Sequence, residues 1–311
     1  MYRHETHQTG LLALRAGDLV LELAPDVGGS IAAFYSEGDD WRFDWLRPAT
    51  QQALHSRDPE GMASFPLIPF CNRVRNGRML FEGKEIAMAP NRGSSPHTIH
   101  GFAWKRPWTV VELGETQAVL QLDHPAGDWP YAFLATQRIT LTDEGLTVAI
   151  EVENRDKTAM PLGVGHHPYL PRREGTVLQA NVERVWLTDD EVMPTGLDTA
   201  PVVRALRKGA LLKDMVADNN FVGWDRRAYV EWPADRATGR RSVLTMEADA
   251  PLDYFVLYSP QGKDHFCIEP VSNCTDWLNV RGYTRAELGG AVLAPGETYS
   301  ARFSLYPRWL G

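Results

Sequence analysis

The stretch RITLTDEGLTVAIEVEN, residues 138–154, contains two runs in which apolar and polar side chains alternate, Ile139 and Leu141 in the first and Leu146, Val148, Ile150 and Val152 in the second. A period of two places successive side chains on opposite faces of an extended chain, so each run has one face for a core and one for water. Between them, Thr142-Asp143-Glu144-Gly145 has the polar and glycine chemistry of a tight turn. The stretch predicts an antiparallel hairpin that is solvated on one side.

The same pattern recurs in both directions. It is present in LVLEL at 19–23, RMLFEGKEIAM at 78–88, WTVVEL and AVLQL between 108 and 122, and VLQANVERVWLT at 177–188. It continues through AYVEW, SVLTMEA, DYFVLYS and ETYSARFSLYP, the last ending at residue 307. Phe81-Glu-Gly-Lys84 predicts a second hairpin. Helical periodicity is scarce, and only TRAELGG at 284–290 is read as a turn of helix. The expectation is an all-β protein, and the lack of a fixed-period repeat argues against a propeller. A large antiparallel β-sandwich fits instead, with charged connections such as PRREG at 171–175 as candidate edge protection. No low-complexity linker divides residues 1–311, and the polar ADRATGR at 234–240 reads as a hairpin loop, so one domain is expected.

Composition narrows the function. Hydrophobic residues make up 43% of the 311-residue chain, with 10 Trp, 10 Tyr and 11 Phe to fill a core. A net charge of -8 and no dense Lys/Arg cluster argue against a nucleic-acid partner. Charges interrupt the first residues where a signal core would lie, and no run reaches the ~18 apolar residues of a membrane span, so a cytoplasmic protein with no membrane partner is expected. Cys71, Cys267 and Cys274 are too few and too irregularly spaced for a disulfide framework, and a Cys267/Cys274 zinc half-site has an unusual spacing. Oligomeric state is not encoded in any pattern of this chain.

Four stretches place polar groups among aromatics, Pro and Gly. In FPLIPFCNRVRNGRM, 65–79, Arg73 and Arg75 follow an apolar run, either as pocket-rim donors or as solvated arginines at a strand end. In NRGSSPHTIHGFAWKRPW, 91–108, His97 and His100 lie on a predicted loop, since Gly93, Pro96 and Gly101 disfavour the helix that would let them share a metal. In GVGHHPYL, 163–170, strand alternation sends His166 and His167 to opposite faces, and Pro168 holds His167 in extended backbone. That suits His167 as a positioned acid or base and leaves His166 structural. In DHFCIEPVSNCTDW, 264–277, Glu269 sits at the end of a buried run, where desolvation would raise its pKa unless an arginine pairs with it. Asp218, in VADNNFVGW, reads by itself as an ordinary turn residue.

Taken in chain order, Asn72-Arg73 followed by Gly77, His100-Gly101, His167-Pro168-Tyr169, Asp218 with Phe221, and Glu269-Pro270 resemble the aldose 1-epimerase, or galactose mutarotase-like, family. The matches span most of the chain. The resemblance implies a large twisted β-sandwich and a free sugar as substrate. It also implies roles: Glu269 as the base that takes the anomeric hydroxyl proton, His167 as the acid that protonates the ring oxygen, and Arg73, His100, Asp218 and Asn72 as sugar-binding residues. It implies no cofactor and no metal. Phe102 stands where the family more often has a second glycine, and His-Pro-Tyr-Leu-Pro replaces His-Ser-Tyr-Phe-Asn, so galactose specificity does not follow.

Three other readings remain open at this point. A hexose 6-phosphate epimerase would use Lys105 and Arg106 of HGFAWKRPW; a non-catalytic sugar-binding module would need neither Glu269 nor His167; a metalloenzyme built on His97, His100 and His166 lacks a recognisable ligand pattern. Trp104, Trp224 and Trp277 flank the motifs as candidate stacking platforms for a sugar, or as core.

Overall fold

The computed structural model describes residues 10–310 except 237. Its largest sheet has nine strands, in spatial order Thr109–Leu113, Gln117–His124, Phe133–Leu141, Leu146–Asn154, Thr298–Leu310, Arg241–Ala248, Arg227–Trp232, Val177–Ala180 and Ala210–Leu211. The hairpin at 138–154 lies in it, with Leu141 opposite Leu146 and Phe133 opposite Asn154. Along Leu146–Asn154 every second residue is buried, as the alternation requires.

The second large sheet runs Pro194–Asp198, Arg184–Thr188, Ala217–Val222, Tyr254–Ser259, His265–Val271, Gly165–His166 and Pro66–Leu67, with Tyr169–Pro171 also pairing His265–Val271. A four-stranded sheet covers Leu12–Ala16, Leu19–Ala24, Ser30–Gly38 and Trp41–Asp44. The two large sheets share one core, in which Val148 and Ile150 of the first belong to the same buried cluster as Phe221, Phe255 and Ile268 of the second. The architecture is the all-β sandwich expected.

The second sheet is buried on both faces, and that positions the site. Ile268 and Phe266 point into the shared core, whereas Cys267 and Val271 belong to a separate apolar cluster with Phe65, Tyr169, Val256 and Trp277 on the opposite side. Glu269 alternates with Ile268 and so shares the outer face with Cys267. Phe65, Leu67, Cys71, Ile99 and Trp104 on one side and Cys274 and Trp277 on the other pack on that face.

Glu82 and Gly83 both take left-handed backbone in the turn between Arg78–Phe81 and Lys84–Ala87, the geometry of a tight hairpin. ADRATGR joins the paired strands Arg227–Trp232 and Arg241–Ala248. Helix is commoner than the pattern suggested: besides Arg285–Leu288, with its Thr284/Glu287 capping box, there are Gln51–Ser56 and Pro201–Lys208. Both are shorter than an autonomous helix, and packing of Ala53, Val203 and Leu206 holds them in place of propensity. PRREG is not a blunted edge: Arg173 packs over Phe43 and Trp232, and Arg172 donates to Ser259 and Pro260.

Candidate active site

Gly165–His166 is a two-residue strand between Val271 and the Pro66–Leu67 strand. His166 faces the shared core, where Nδ1 bonds with the Ser64 hydroxyl and Nε2 lies 3.2 Å from Gln137 Oε1. Gln137, from the nine-stranded sheet, donates in turn to the Gly29 carbonyl at 3.0 Å. His167 points the other way. Its ring packs against both Phe65 and Tyr169, with centroids at 4.7 Å and interplanar angles of 26° and 22°, and those two rings also touch each other at 6.2 Å. Its Nε2 lies 3.2 Å from Glu269 Oε1. The stacked rings leave the imidazole little room to rotate, which fixes the direction of that contact.

Asn72 and His100 both adopt left-handed backbone, with φ of 59° and 60°, a conformation costly for residues with a side chain. Hydrogen bonds hold it: Asn72 Oδ1 accepts from Arg73 N at 2.9 Å and Arg73 Nη1 at 3.0 Å, and His100 N donates to the Asn72 carbonyl at 2.9 Å. Arg73 Nη2 then reaches Asp218 Oδ2 at 3.1 Å. The His100 ring meets His167 edge-on, centroids 5.1 Å apart. Asn91 clips this segment through its side chain to Ile99 N, Ile99 O and Gly101 O.

All six residues singled out from the sequence, Asn72, Arg73, His100, His167, Asp218 and Glu269, line one pocket of about 390 Å³ including its mouth. Asp218 is not a turn residue but lies in the strand Ala217–Val222, opposite Tyr258.

Burial dominates the electrostatics. It pushes the Glu269 carboxyl well above the ordinary range, reinforced by the Asp218 charge and opposed by Arg73 and Arg92. Burial likewise holds His167 down to about 3, with Arg92, Arg47 and His166 acting in the same direction. His100 is driven well below its usual value by burial and by His167. Burial thus disfavours the charged form of each partner in the Glu269–His167 pair. Shifting one proton between them makes a carboxylate and an imidazolium without changing the pair's net charge, so the charged state needed for acid–base work is one transfer away.

The same burial makes the fold acid-labile. A histidine whose folded pKa is depressed stabilises the protein above its unfolded value of 6.5, and that contribution is lost as pH falls towards about 3. With His100, His166 and His167 acting together, opposed by the raised Glu269, stability should fall as pH drops below 6.5. Urea midpoints at pH 7 and pH 5 check this, and equal midpoints would refute it.

Several site residues carried no sequence signal. Glu60, Phe65, Arg92, Ile99 and Tyr258 line the pocket, as does Tyr169 of the His-Pro-Tyr motif. The pocket aromatics are Phe65, Tyr169 and Tyr258; Trp104, Trp224 and Trp277 are buried and do not line it. Phe102 also lies away from the pocket, packing against Phe70 and His124. His97 accepts from Asn76 N at 3.1 Å and is not among the lining residues. Lys105 sits over the Trp104 ring and, like Arg106, does not line the pocket. Cys71, Cys267 and Cys274 are unpaired and buried, and burial pushes each thiol up, which keeps it protonated and unreactive. Among the described residues, no helix is long and apolar enough to cross a membrane.

The antiparallel sandwich is the fold of the galactose mutarotase-like proteins. The structure of such a protein from Clostridium acetobutylicum superposes with a TM-score of 0.83 at 20% identity, covering 96% of this chain and 95% of that one. A candidate aldose 1-epimerase from Escherichia coli K12 superposes with a TM-score of 0.85 at 28% identity, covering 96% and 99%. The chain belongs to the aldose 1-epimerase family, whose model matches residues 11–306. The uncharacterised protein YphB of Escherichia coli (strain K12) is 29% identical over 308 residues, 96% of this chain and 99% of that protein. The aldose 1-epimerase of the same strain is 25% identical over 130 residues, 40% of this chain and 36% of that enzyme.

Proposed function

We propose that this protein is an aldose 1-epimerase that interconverts the α and β anomers of a free hexose. The observation that carries the reading is the 3.2 Å approach of His167 Nε2 to Glu269 Oε1 inside the pocket. The hydroxyl oxygen and the ring oxygen of a cyclic aldose are bonded to the same carbon, so an acid and a base that must serve both have to converge closely. Glu269, as carboxylate, takes the proton from the anomeric hydroxyl; its electron pair forms the carbonyl, the bond from C1 to the ring oxygen breaks, and His167 protonates that oxygen. The open-chain aldehyde rotates about the bond between C1 and C2. Closure then runs the same transfers in reverse and gives the other anomer. Every proton returns, so the steps require no cofactor.

The surrounding residues support those steps. Arg73 and His100 can donate to sugar oxygens and stabilise charge on the ring oxygen, Asp218 and Asn72 can accept from or orient hydroxyls, and the apolar rings of Phe65 and Tyr169 fix the imidazole. A bound sugar that separates Glu269 from His167 would place the carboxylate nearer the Arg73 and Arg92 charges, which favour its ionised form. The phosphorylated-sugar alternative draws less support, because Lys105 and Arg106 do not line the pocket. Polarimetry of freshly dissolved α-glucose, α-galactose and other α-hexoses should show mutarotation at a rate linear in protein concentration. No acceleration across the panel would refute the reading.

A further inference from the structure

The pocket contains a charge pair that the acid–base steps do not use. Arg92 Nε lies 2.7 Å from Glu60 Oε1 and Nη2 lies 3.1 Å from Oε2, a two-pronged contact between planar groups. Both residues line the pocket beside Tyr169 and Tyr258, and both are partly open to solvent, with side chains 40% and 34% exposed. A pair this exposed contributes little to stability, which leaves recognition as its more effective use.

The two partners are held from both sides. Glu60 lies in the short helical turn Pro59–Gly61; its N–H donates to Asp58 Oδ1 at 3.1 Å and its carbonyl accepts from Arg47 Nη2 at 3.0 Å. Arg47 is itself seated 4.0 Å over the Tyr169 ring. Arg92 follows Asn91, the residue that clips Ile99 and Gly101. The guanidinium keeps Nη1 without a partner among the described residues, so it retains donors for a ligand while its other edge is occupied.

Charge on the pocket wall also balances. Arg73 is matched by Asp218 and Arg92 by Glu60, and burial disfavours charge on both Glu269 and His167. We propose that Glu60 and Arg92 form a neutral clamp at the rim that binds hydroxyls of the sugar and makes the site select unphosphorylated aldoses over phosphorylated ones. The inference rests on the reading of this pocket as an aldose site. A carboxylate and a guanidinium locked edge to edge offer acceptors and donors side by side, the complement of neighbouring sugar hydroxyls. A phosphate dianion entering the same place meets the Glu60 carboxylate, which already offsets the guanidinium charge that would attract it.

Removing one partner at a time should move discrimination in opposite directions. Mutarotation of α-glucose and α-glucose 6-phosphate is measured at pH 7.5 and fixed ionic strength for the wild type, Glu60→Gln, Arg92→Gln and the double variant, with calorimetric titration of both compounds alongside. Glu60→Gln uncovers the Arg92 charge and should raise the ratio of kcat/KM for the phosphorylated over the free sugar by about tenfold or more. Arg92→Gln uncovers the carboxylate and should lower it by a similar factor, and the double variant should return to within a few-fold of wild type. A clamp that only braced the rim would shift both ratios the same way or not at all, and either result overturns the proposal, as does a wild type that prefers glucose 6-phosphate. If the wild type accelerates neither sugar but the bound ratios still move oppositely, the reaction is wrong and the clamp stands. If neither compound binds, both fall.

Discussion

Glu269→Gln should lower kcat for anomer interconversion by about a thousandfold, bringing it close to the uncatalysed rate, because a carboxamide cannot accept the hydroxyl proton and general-base contributions are of that order. The substitution preserves shape and leaves a polar group beside His167. Its effect on stability should have the opposite sign. Burial raises the Glu269 pKa, so its contribution to stability is complete below the unfolded value of 4.5 and is lost as pH rises through the folded value. The carboxamide of the variant does not titrate and escapes that loss. The variant and wild type should therefore have similar urea midpoints near pH 4.5, and the variant should be the more stable of the two at pH 8. A variant retaining a tenth of wild-type kcat would remove Glu269 from the role of base. A variant less stable than wild type at pH 8 would show instead that the carboxyl serves the fold.

That opposition explains why Glu269 was conspicuous in the sequence. A carboxylate in HFCIEPV breaks an apolar strand pattern, and such a break has a cost that only a site repays. His167 was legible for a related reason: alternation forces adjacent side chains apart, and His166 indeed turns to Ser64 and Gln137 while His167 turns to Glu269. Asp218 was harder, since Asp-Asn-Asn has turn chemistry and only its pairing with Tyr254–Ser259 makes it a strand. Pairing between distant segments overrides local preference there. Glu60 and Arg92 were invisible because one sits in a three-residue helical turn and the other on a loop, 32 positions apart, with no period to link them. The tryptophans misled for the converse reason: a large ring beside a motif signals burial at least as often as a ligand, and the smaller Phe65, Tyr169 and Tyr258 take the pocket wall.

The backbone beneath the site should prove as sensitive as its side chains, and Gly101→Ala tests this. Gly101 has φ of 69°, and a Cβ there would lie 2.0 Å from the Ile68 carbonyl oxygen, 2.3 Å from its carbon and 2.5 Å from Pro69 N. All three are backbone atoms, so no side chain can swing aside. The Ile68 oxygen already accepts from Phe102 N at 2.8 Å and Ala103 N at 3.1 Å, and the Pro69 carbonyl accepts from Gly163 N at 2.7 Å. Displacing this segment therefore disturbs the Pro66–Leu67 strand, which pairs with Gly165–His166 and so carries His167. On the other side the same change moves His100, the immediate neighbour. Left-handed strain of about 1–2 kcal/mol and overpacking of about 1–3 kcal/mol should sum to roughly 2–5 kcal/mol, with a fall of at least tenfold in kcat/KM. Gly262→Ala separates the two contributions, since Gly262 has φ of 70° and nothing within 4 Å of its added Cβ. That variant should lose only the strain, about 1 kcal/mol, and keep full activity. Equal losses in the two alanine variants, measured by urea unfolding and polarimetry, would mean that the close approach of residues 68 and 101 is not what holds His100 and His167 in register.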